Sequence, residues 1–282
     1  MKAIDLIDMM KAKGYWGKLE PSTNTTRGGN TIIALIPARA GSKRVKGKNY
    51  KTLRGHPLLA YTIWQAIDSG IFKRIFVSTE SAQIAAIAEK YGAEVIKRPK
   101  EFAKDSSPDH EWVNDALFQT RNVKYDAYAI LRPTCPFRKP SSIQSAWSML
   151  QANPSYDSIR AIRVSYDHPY KMWHYWKYDD YTGRISPYMP RIYGSTPAYD
   201  MPTQQFDIVW SQSAALQIHW VGHTDRRDIS GPKIMGIMLG EYEGHDINTE
   251  KDWFVAECIA KAGMACLPRS GKGWFEWLHA VW

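Results

Sequence analysis

Thr31 to Pro37 reads TIIALIP, an unbroken apolar run, and a basic loop bearing one glycine (ARAGSKR) follows it at once. A run of this kind suits a strand buried on both faces, as in parallel sheets. Helical spacing comes next, from Pro57 to Ser69, with Leu58, Ala60, Tyr61, Trp64 and Ile67 on one side. Arg74–Ser78, Ala93–Ile96, Ala127–Leu131 and Ser158–Val164 read as further strands. Ser81–Tyr91, Asp109–Arg121 and Ser142–Gln151 read as the helices between them, the first closed by Gly92. Strands alternating with helices build βαβ units, so the expected fold class is α/β: a Rossmann-like, doubly wound, mostly parallel sheet.

The alternation fails after residue 165. Tyr166 to Tyr199 is rich in aromatic residues and proline and has no clear period. A stretch of about 166–230 is expected as an insert, a subdomain for dimer contacts or for an acceptor pocket. Within it Asp207–Trp220 reads as strand material. Lys233–Leu239 then reads as a strand and Asn248–Gly263 as a helix. Residues 1–30 read as an extension and linker, with a short amphipathic helix carrying Ile4, Ile7 and Met10 before the polar run PSTNTTRGGN. The main domain is expected over 31–268, and 269–282 form an aromatic tail that resists assignment.

The bulk properties exclude several classes. No stretch approaches the roughly 20 apolar residues needed to span a bilayer. Met1–Glu20 lacks the apolar core of a secretion signal. Three cysteines, Cys135, Cys258 and Cys266, show no CxxC spacing. They argue against a disulfide framework or a zinc ribbon, and for a reducing, cytoplasmic setting. The net charge of +9 could serve nucleic acid, a membrane surface or acidic small molecules. The one local concentration, Lys43 to Lys51, is explained by a nucleotide polyphosphate without a polymer, so neither nucleic acid nor membrane is expected as a partner.

That concentration lies in the loop leaving the first strand, where open α/β sheets bind ligands. Gly41 and Ser42 can turn backbone N–H groups toward an anion. Arg39, Lys43, Arg44 and Lys48 can neutralise a triphosphate and the charge that grows on a departing pyrophosphate. The spacing is not that of a Walker A loop. A solvated basic turn would have the same composition. His219 and His223 stand four apart, but their neighbours look strand-like and the glutamate of HExxH is missing, so they read as structural.

Five stretches together carry a family resemblance. They are Ile36 to Asn49 (IPARAGSKRVKGKN), Val77-Ser78-Thr79-Glu80, Tyr91 to Pro99, Leu131 to Arg138 (LRPTCPFR) and Asp246 to Trp253 (DINTEKDW). In this order they resemble the acylneuraminate cytidylyltransferases, the CMP-sialic acid synthetases. The resemblance is good over about 31–165, moderate over 230–260 and poor over 166–230. It implies a nucleotide-diphospho-sugar transferase-like fold, a homodimer, and transfer of CMP from CTP to an α-keto-acid sugar with release of pyrophosphate.

Site residues follow from the resemblance. Ala38, Arg39, Gly41, Ser42 and Lys43 would hold the phosphates, with Asn49 contacting the nucleotide. Arg39, Lys43 and Lys48 would act in catalysis. Arg98, followed by Asp105, Ser106 and Ser107, would line the cytosine pocket. Arg132, Thr134, Lys171 and Gln212 would face the acceptor. Asp246 and Asn248 stand where the family has two aspartates for magnesium. A neutral amide at Asn248 leaves one carboxylate in that pair, and the same segment would also serve as a charged helix N-terminus. Arg132 takes the place of a family glutamine and Cys135 that of a serine. Arg132, a bidentate anion binder, suggests an acceptor unlike ordinary sialic acid. The alternatives are the same chemistry on an eight-carbon keto-acid sugar or a phosphonate, a basic nucleic-acid-binding protein, and a non-catalytic paralogue.

Overall fold

The computed structural model describes residues 31–223, 228–240 and 242–264. The expected N-terminal helix, the linker and the aromatic tail lie outside the described residues. By contacts the chain divides into a larger unit, holding 31–163 and the described residues from 212 onward, and a smaller one over 164–211.

The larger unit is built on seven strands: β1 (Ile32–Pro37), β4 (Phe72–Thr79), β5 (Glu94–Lys97), β6 (Ala127–Ile130), β7 (Ser158–Val164), β12 (Trp210–Trp220) and β13 (Ile234–Met238). Their order is β13-β7-β12-β6-β1-β4-β5. The pairs β1/β4, β1/β6, β4/β5 and β7/β13 are parallel, and β12 runs antiparallel to β6. Two short strands, β2 (Thr52–Leu53) and β3 (His56–Pro57), make a separate hairpin before the first helix. A mostly parallel α/β sheet is thus the fold that the alternation implies.

Side chains alternate across the sheet, and each face has its own core. Ile32, Ala34 and Ile36 point to the same side as Ala127, Ala129 and Leu131. There they meet helix α1 (Leu58–Ser69), α2 (Ala82–Lys90) and α4 (Pro140–Ala152) through Ile63, Ile84, Ala146 and Leu150. Ile33, Leu35, Tyr128 and Ile130 face the other side and meet α3 (Asp109–Gln119) through Trp112, Val113 and Ala116. A third cluster packs the last helix, α5 (Glu250–Lys261), against the loop after β1: Trp253, Ala256 and Ile259 meet Val45, Leu53 and Leu58. This cluster brings a segment from the end of the chain to the loop that leaves β1.

The smaller unit has two hairpins, β8 (Trp173–Lys177) with β9 (Gly183–Pro187), and β10 (Ile192–Tyr193) with β11 (Thr196–Pro197). Its centre is aromatic: His168, Tyr170, Tyr193 and Phe206 pack in tilted and edge-to-face pairs with centroids 4.7 to 6.2 Å apart. The β8–β9 hairpin is absent from the sequence reading for a physical reason. All five residues of β8 are exposed, so no polar face alternates with an apolar one to reveal a period. Of the 166–230 stretch expected as an insert, residues 212–220 lie in the central sheet.

Candidate functional site

The loop leaving β1 is pinned from below before it meets any ligand. Ala38 N–H donates to Ser78 O at 3.0 Å, and Ala40 N–H donates to Glu80 Oε1 at 2.7 Å. Asn49 is buried and its amide donates to Arg39 O at 2.8 Å, closing the loop on itself. Gly47 makes the return turn with φ +64°, where a Cβ would lie 2.4 Å from the Tyr50 ring. Gly41, by contrast, is exposed with nothing near its absent Cβ.

Beyond this loop a cleft of about 690 Å³ opens in the larger unit, a volume suited to a small-molecule ligand. Arg39, Ser42, Lys43, Lys48 and Asn49 line it from the loop. Arg98, Arg132, Thr134, Asp246 and Asn248 line it from three other segments. Ala38 is fully buried behind the wall, Gly41 and Ser106 are exposed outside the lining, and Gln212 lies aside. Lys171 belongs to the smaller unit, where its ammonium donates to Tyr199 O and Met201 O at 2.6 and 2.5 Å.

The other motifs are explained by what they hold. Arg98, buried at the end of β5, donates from Nε to Ser78 Oγ at 3.0 Å and from Nη2 to Ser78 O at 3.1 Å. Its guanidinium also lies over the Trp112 ring, 5.0 Å from the centroid. Burial pulls its pKa down to about 10, against the pull of Glu80 and Asp109, so it stays charged at neutral pH. The stretch from Val77 to Glu80 therefore positions both Arg98 and the loop at Ala40.

The loop from Leu131 to Arg138 is held by Arg138, which is fully buried. Its guanidinium donates to Ala215 O, to Gln65 Oε1 at 2.8 Å and to Arg132 O at 2.9 Å. Burial pulls the pKa of Arg138 down to about 10. Cys135 is buried beside it, its thiol pushed up to about 12 by burial and then by Asp246, which leaves it protonated and a poor nucleophile.

Asp246, Ile247 and Asn248 join the loops. Ile247 N–H donates to Thr134 O at 2.8 Å, and Lys48 Nζ donates to Ile247 O at 2.7 Å. Burial lowers the Lys48 pKa; Asp246 opposes this, and Arg44 and Arg39 add to it. Asn248 donates to Asp246 Oδ2 at 2.6 Å and accepts from Arg44 at 3.3 Å. The helix-terminus role falls to other residues of the segment. Thr249 and Asp252 form a reciprocal capping box on α5, so Asp246 is not needed there and faces the cleft.

Asp109, which lines the cleft, and Arg160, which does not, are both missing from the sequence reading. Asp109 accepts from Arg132 Nη2 and from Trp112 Nε1. Burial pushes its carboxyl up, but the charge of Arg132 and the Trp112 and Arg132 hydrogen bonds prevail and hold it below the usual range. Arg160 on β7 donates to Gln212 Oε1 and to Ser230 Oγ, each at 2.6 Å. Asp109 reads in sequence as an ordinary acid in a first helical turn, and Arg160 as an alternating strand residue. Only the spacing of Asp109 to Trp112, one turn apart, could have signalled the first.

Asp105 sits at the cleft mouth between the cations of the loop. Its carboxylate accepts from Arg39 at 2.5 Å and from Lys43 at 2.9 Å. These hydrogen bonds, Lys43 first, hold its pKa below the usual carboxylate value.

Residues 33–178, just over half of the chain, match the model of a family described as cytidylyltransferase. An N-acylneuraminate cytidylyltransferase of Escherichia coli is 41% identical over 134 residues, 48% of this chain and 32% of that protein. A CMP-N,N'-diacetyllegionaminic acid synthase of Legionella pneumophila is 48% identical over 118 residues, 41% of this chain and 51% of that one. A pseudaminic acid cytidylyltransferase of Campylobacter jejuni is 34% identical over 137 residues, 48% and 59% of the two. The chain thus spans between a third and six-tenths of these relatives' lengths. A solved CMP-2-keto-3-deoxy-manno-octonic acid synthetase complexed with CTP superposes with a TM-score of 0.57 at 11% identity, covering 83% of this chain and 99% of that one. A 4-diphosphocytidyl-2C-methyl-D-erythritol synthase from Anaerococcus prevotii does so with a TM-score of 0.52 at 16% identity, covering 82% and 99%. At such identities these two likenesses speak for the fold alone. With more than half of its residues matched by the family model, the chain belongs to the cytidylyltransferase family.

Proposed function

We propose that this protein transfers CMP from CTP to an acidic α-keto-acid sugar of the nonulosonate class, releasing pyrophosphate. The observation that carries the reading is the convergence of Arg39, Lys43, Lys48, Arg98 and Asp246 from three separate segments on one cleft. The names of the sequence relatives, which make CMP derivatives of sialic, legionaminic and pseudaminic acids, give the acceptor class.

In this reading the exposed backbone around Gly41 and Ser42 receives phosphate oxygens, and Arg39 and Lys43 neutralise the β- and γ-phosphates. Lys48 takes the charge that develops on the pyrophosphate as the bond to the α-phosphorus breaks. Arg98 meets the base, held fixed by Ser78 and Trp112. The acceptor's anomeric hydroxyl attacks the α-phosphorus in line, losing its proton as the new P–O bond forms. Catalysis is then positioning and charge stabilisation, with no covalent enzyme intermediate. Arg132 and Thr134 border the acceptor. Lys171 and Gln212 act through structure, since the one braces the smaller unit and the other holds Arg160.

Magnesium fits the donors present. Asp246 offers a carboxylate and Asn248 a neutral oxygen, both hard and both on the cleft wall. The described residues contain no group of three or more acidic, histidine or cysteine ligands. These two residues would therefore hold a metal that arrives with the triphosphate rather than one bound alone. Held by Asp246 and Asn248, such an ion would supply Lewis-acid polarisation of the α-phosphate.

We infer a homodimer as well, supported by the exposed Trp173, Tyr175 and Trp176 on the β8–β9 hairpin, an apolar surface that favours cover. Free Cys135 and Cys258 agree with a reducing, cytoplasmic setting. Among the described residues no helix is long and apolar enough to cross a membrane.

The test is pyrophosphate release from each of the four ribonucleoside triphosphates, with magnesium and a panel of eight- and nine-carbon keto-acid sugars. Release with CTP and a nonulosonate is the expected result. Release with another triphosphate, or none with any acceptor, would overturn the reading.

A further inference from the structure

We propose that Asp105 is a built-in substitute for a phosphate group, occupying the cations of the β1 loop until a polyphosphate displaces it. The inference rests on the nucleotide reading of the cleft and names a residue that sets its affinity for polyphosphate.

Three contacts carry it. Asp105 Oδ1 accepts from Arg39 Nη2 at 2.5 Å, and Oδ2 lies 2.9 Å from Lys43 Nζ. Arg39 Nη1 reaches over the same segment to Ala103 O at 3.2 Å. One carboxylate thus spends both oxygens on two cations assigned to the phosphates, and Arg39 is committed at both ends of its guanidinium. The segment between β5 and α3 is strapped to the loop by these bonds. The Arg39–Ala103 bond is half-buried, but both contacts of the Asp105 carboxylate are solvent-accessible: the side chains of Asp105 and Lys43 are 50% and 83% exposed. Exposed ion pairs contribute little each, so the strap can be displaced by a ligand with more charge.

A carboxylate and a phosphate oxygen compete for the same donors with the same geometry. A pyrophosphate or triphosphate brings several negative charges and overcomes the competition. A ligand with a single weak charge gains less and leaves Asp105 in place. When pyrophosphate departs, Asp105 returns to Arg39 and Lys43, which eases release of the most highly charged product. No bond is made or broken in this exchange; it is a swap of ion pairs.

The test is calorimetric titration of the full chain with inorganic pyrophosphate, and separately with CTP, for the native protein, Asp105→Asn and Asp105→Glu. Removing one charge from two exposed pairs should tighten pyrophosphate binding in Asp105→Asn by roughly three- to ten-fold. The gain should shrink in about 0.5 M salt, where screening falls to a few ångströms. Asp105→Glu keeps the competing charge and should bind within about two-fold of the native protein. Asp105→Ala serves as a second neutral variant should the amide prove unsuitable. Pyrophosphate binding that is unchanged or weaker in the neutral variants, in a native protein that does bind it, overturns the proposal and leaves the nucleotide reading standing. A native protein that binds neither pyrophosphate nor CTP overturns both.

Discussion

Gly41 and Gly47 lie six residues apart in one loop and answer to different demands. A Cβ at Gly47 would strike Tyr50 and sit at a positive φ, so Gly47→Ala should destabilise the fold itself. A Cβ at Gly41 meets nothing, so Gly41→Ala should leave thermal unfolding unchanged. If phosphates approach that backbone, the added methyl should weaken CTP binding by about ten-fold or more, read by calorimetry. Equal CTP affinity in Gly41→Ala would place the phosphates elsewhere. Lys48 gives a second test at this scale. Its pKa in the free protein is lowered, with burial the main cause, and a bound phosphate would raise it. Binding then takes up a proton, so pyrophosphate affinity should fall as pH rises through the lowered free value, and Lys48→Met should lose that slope. An alkaline profile identical in Lys48→Met would remove Lys48 from the phosphate site.

At the scale of elements, the wall of the cleft depends on Arg138. It ties helix α1, strand β12 and the loop carrying Arg132 through Gln65, Ala215 and Arg132 itself. Arg138→Met would leave two carbonyls and an amide without their buried donor. The expected loss is roughly 3 kcal/mol or more, seen as a lower denaturant midpoint with unchanged slope. A loss below about 0.5 kcal/mol would mean that the guanidinium is not what holds the loop. His219 on β12 makes a related prediction for pH. It is stacked on Tyr128 and its pKa is pulled down to about 3, by burial first and then by Arg160. The unfolded chain therefore binds a proton below the ordinary imidazole value of 6.5 that the folded chain refuses. Stability is full above that value and falls on acidification, by about 2 kcal/mol at pH 5. His219→Phe should flatten that acid slope in urea titrations between pH 7 and 5; a slope kept intact would assign it to other groups.

For the whole molecule, the sequence reading and the structure agree where burial leaves a period and part where it does not. β1, α1 and α3 show in the sequence because an apolar run or a 3.6-residue stripe is forced on them by a two-faced core. The match to a cytidylyltransferase family bears out the resemblance found in five short motifs. The hairpins of 164–211 do not show, because β8 is exposed on both faces and the strands β9, β10 and β11 bury no residue fully. Asp109, Arg160 and the Asp105 strap do not show either, since each depends on partners far away in sequence that only the fold brings close. The exposed aromatic hairpin belongs to this scale as well. Sedimentation should find a dimer in the native chain and a monomer in Trp176→Asp, and a native chain that sediments as a monomer would count against the homodimer.

On the proposed function, the loop leaving β1 holds the polyphosphate of CTP while Arg98 meets the base. A crystal structure of the full chain with CTP and magnesium tests it most directly. The expected result is phosphate density against the backbone of Gly41 and Ser42, with Arg39 and Lys43 released from Asp105, and cytosine beside Arg98. Density for CTP away from this loop, with Arg39 and Lys43 still bound to Asp105, would contradict it.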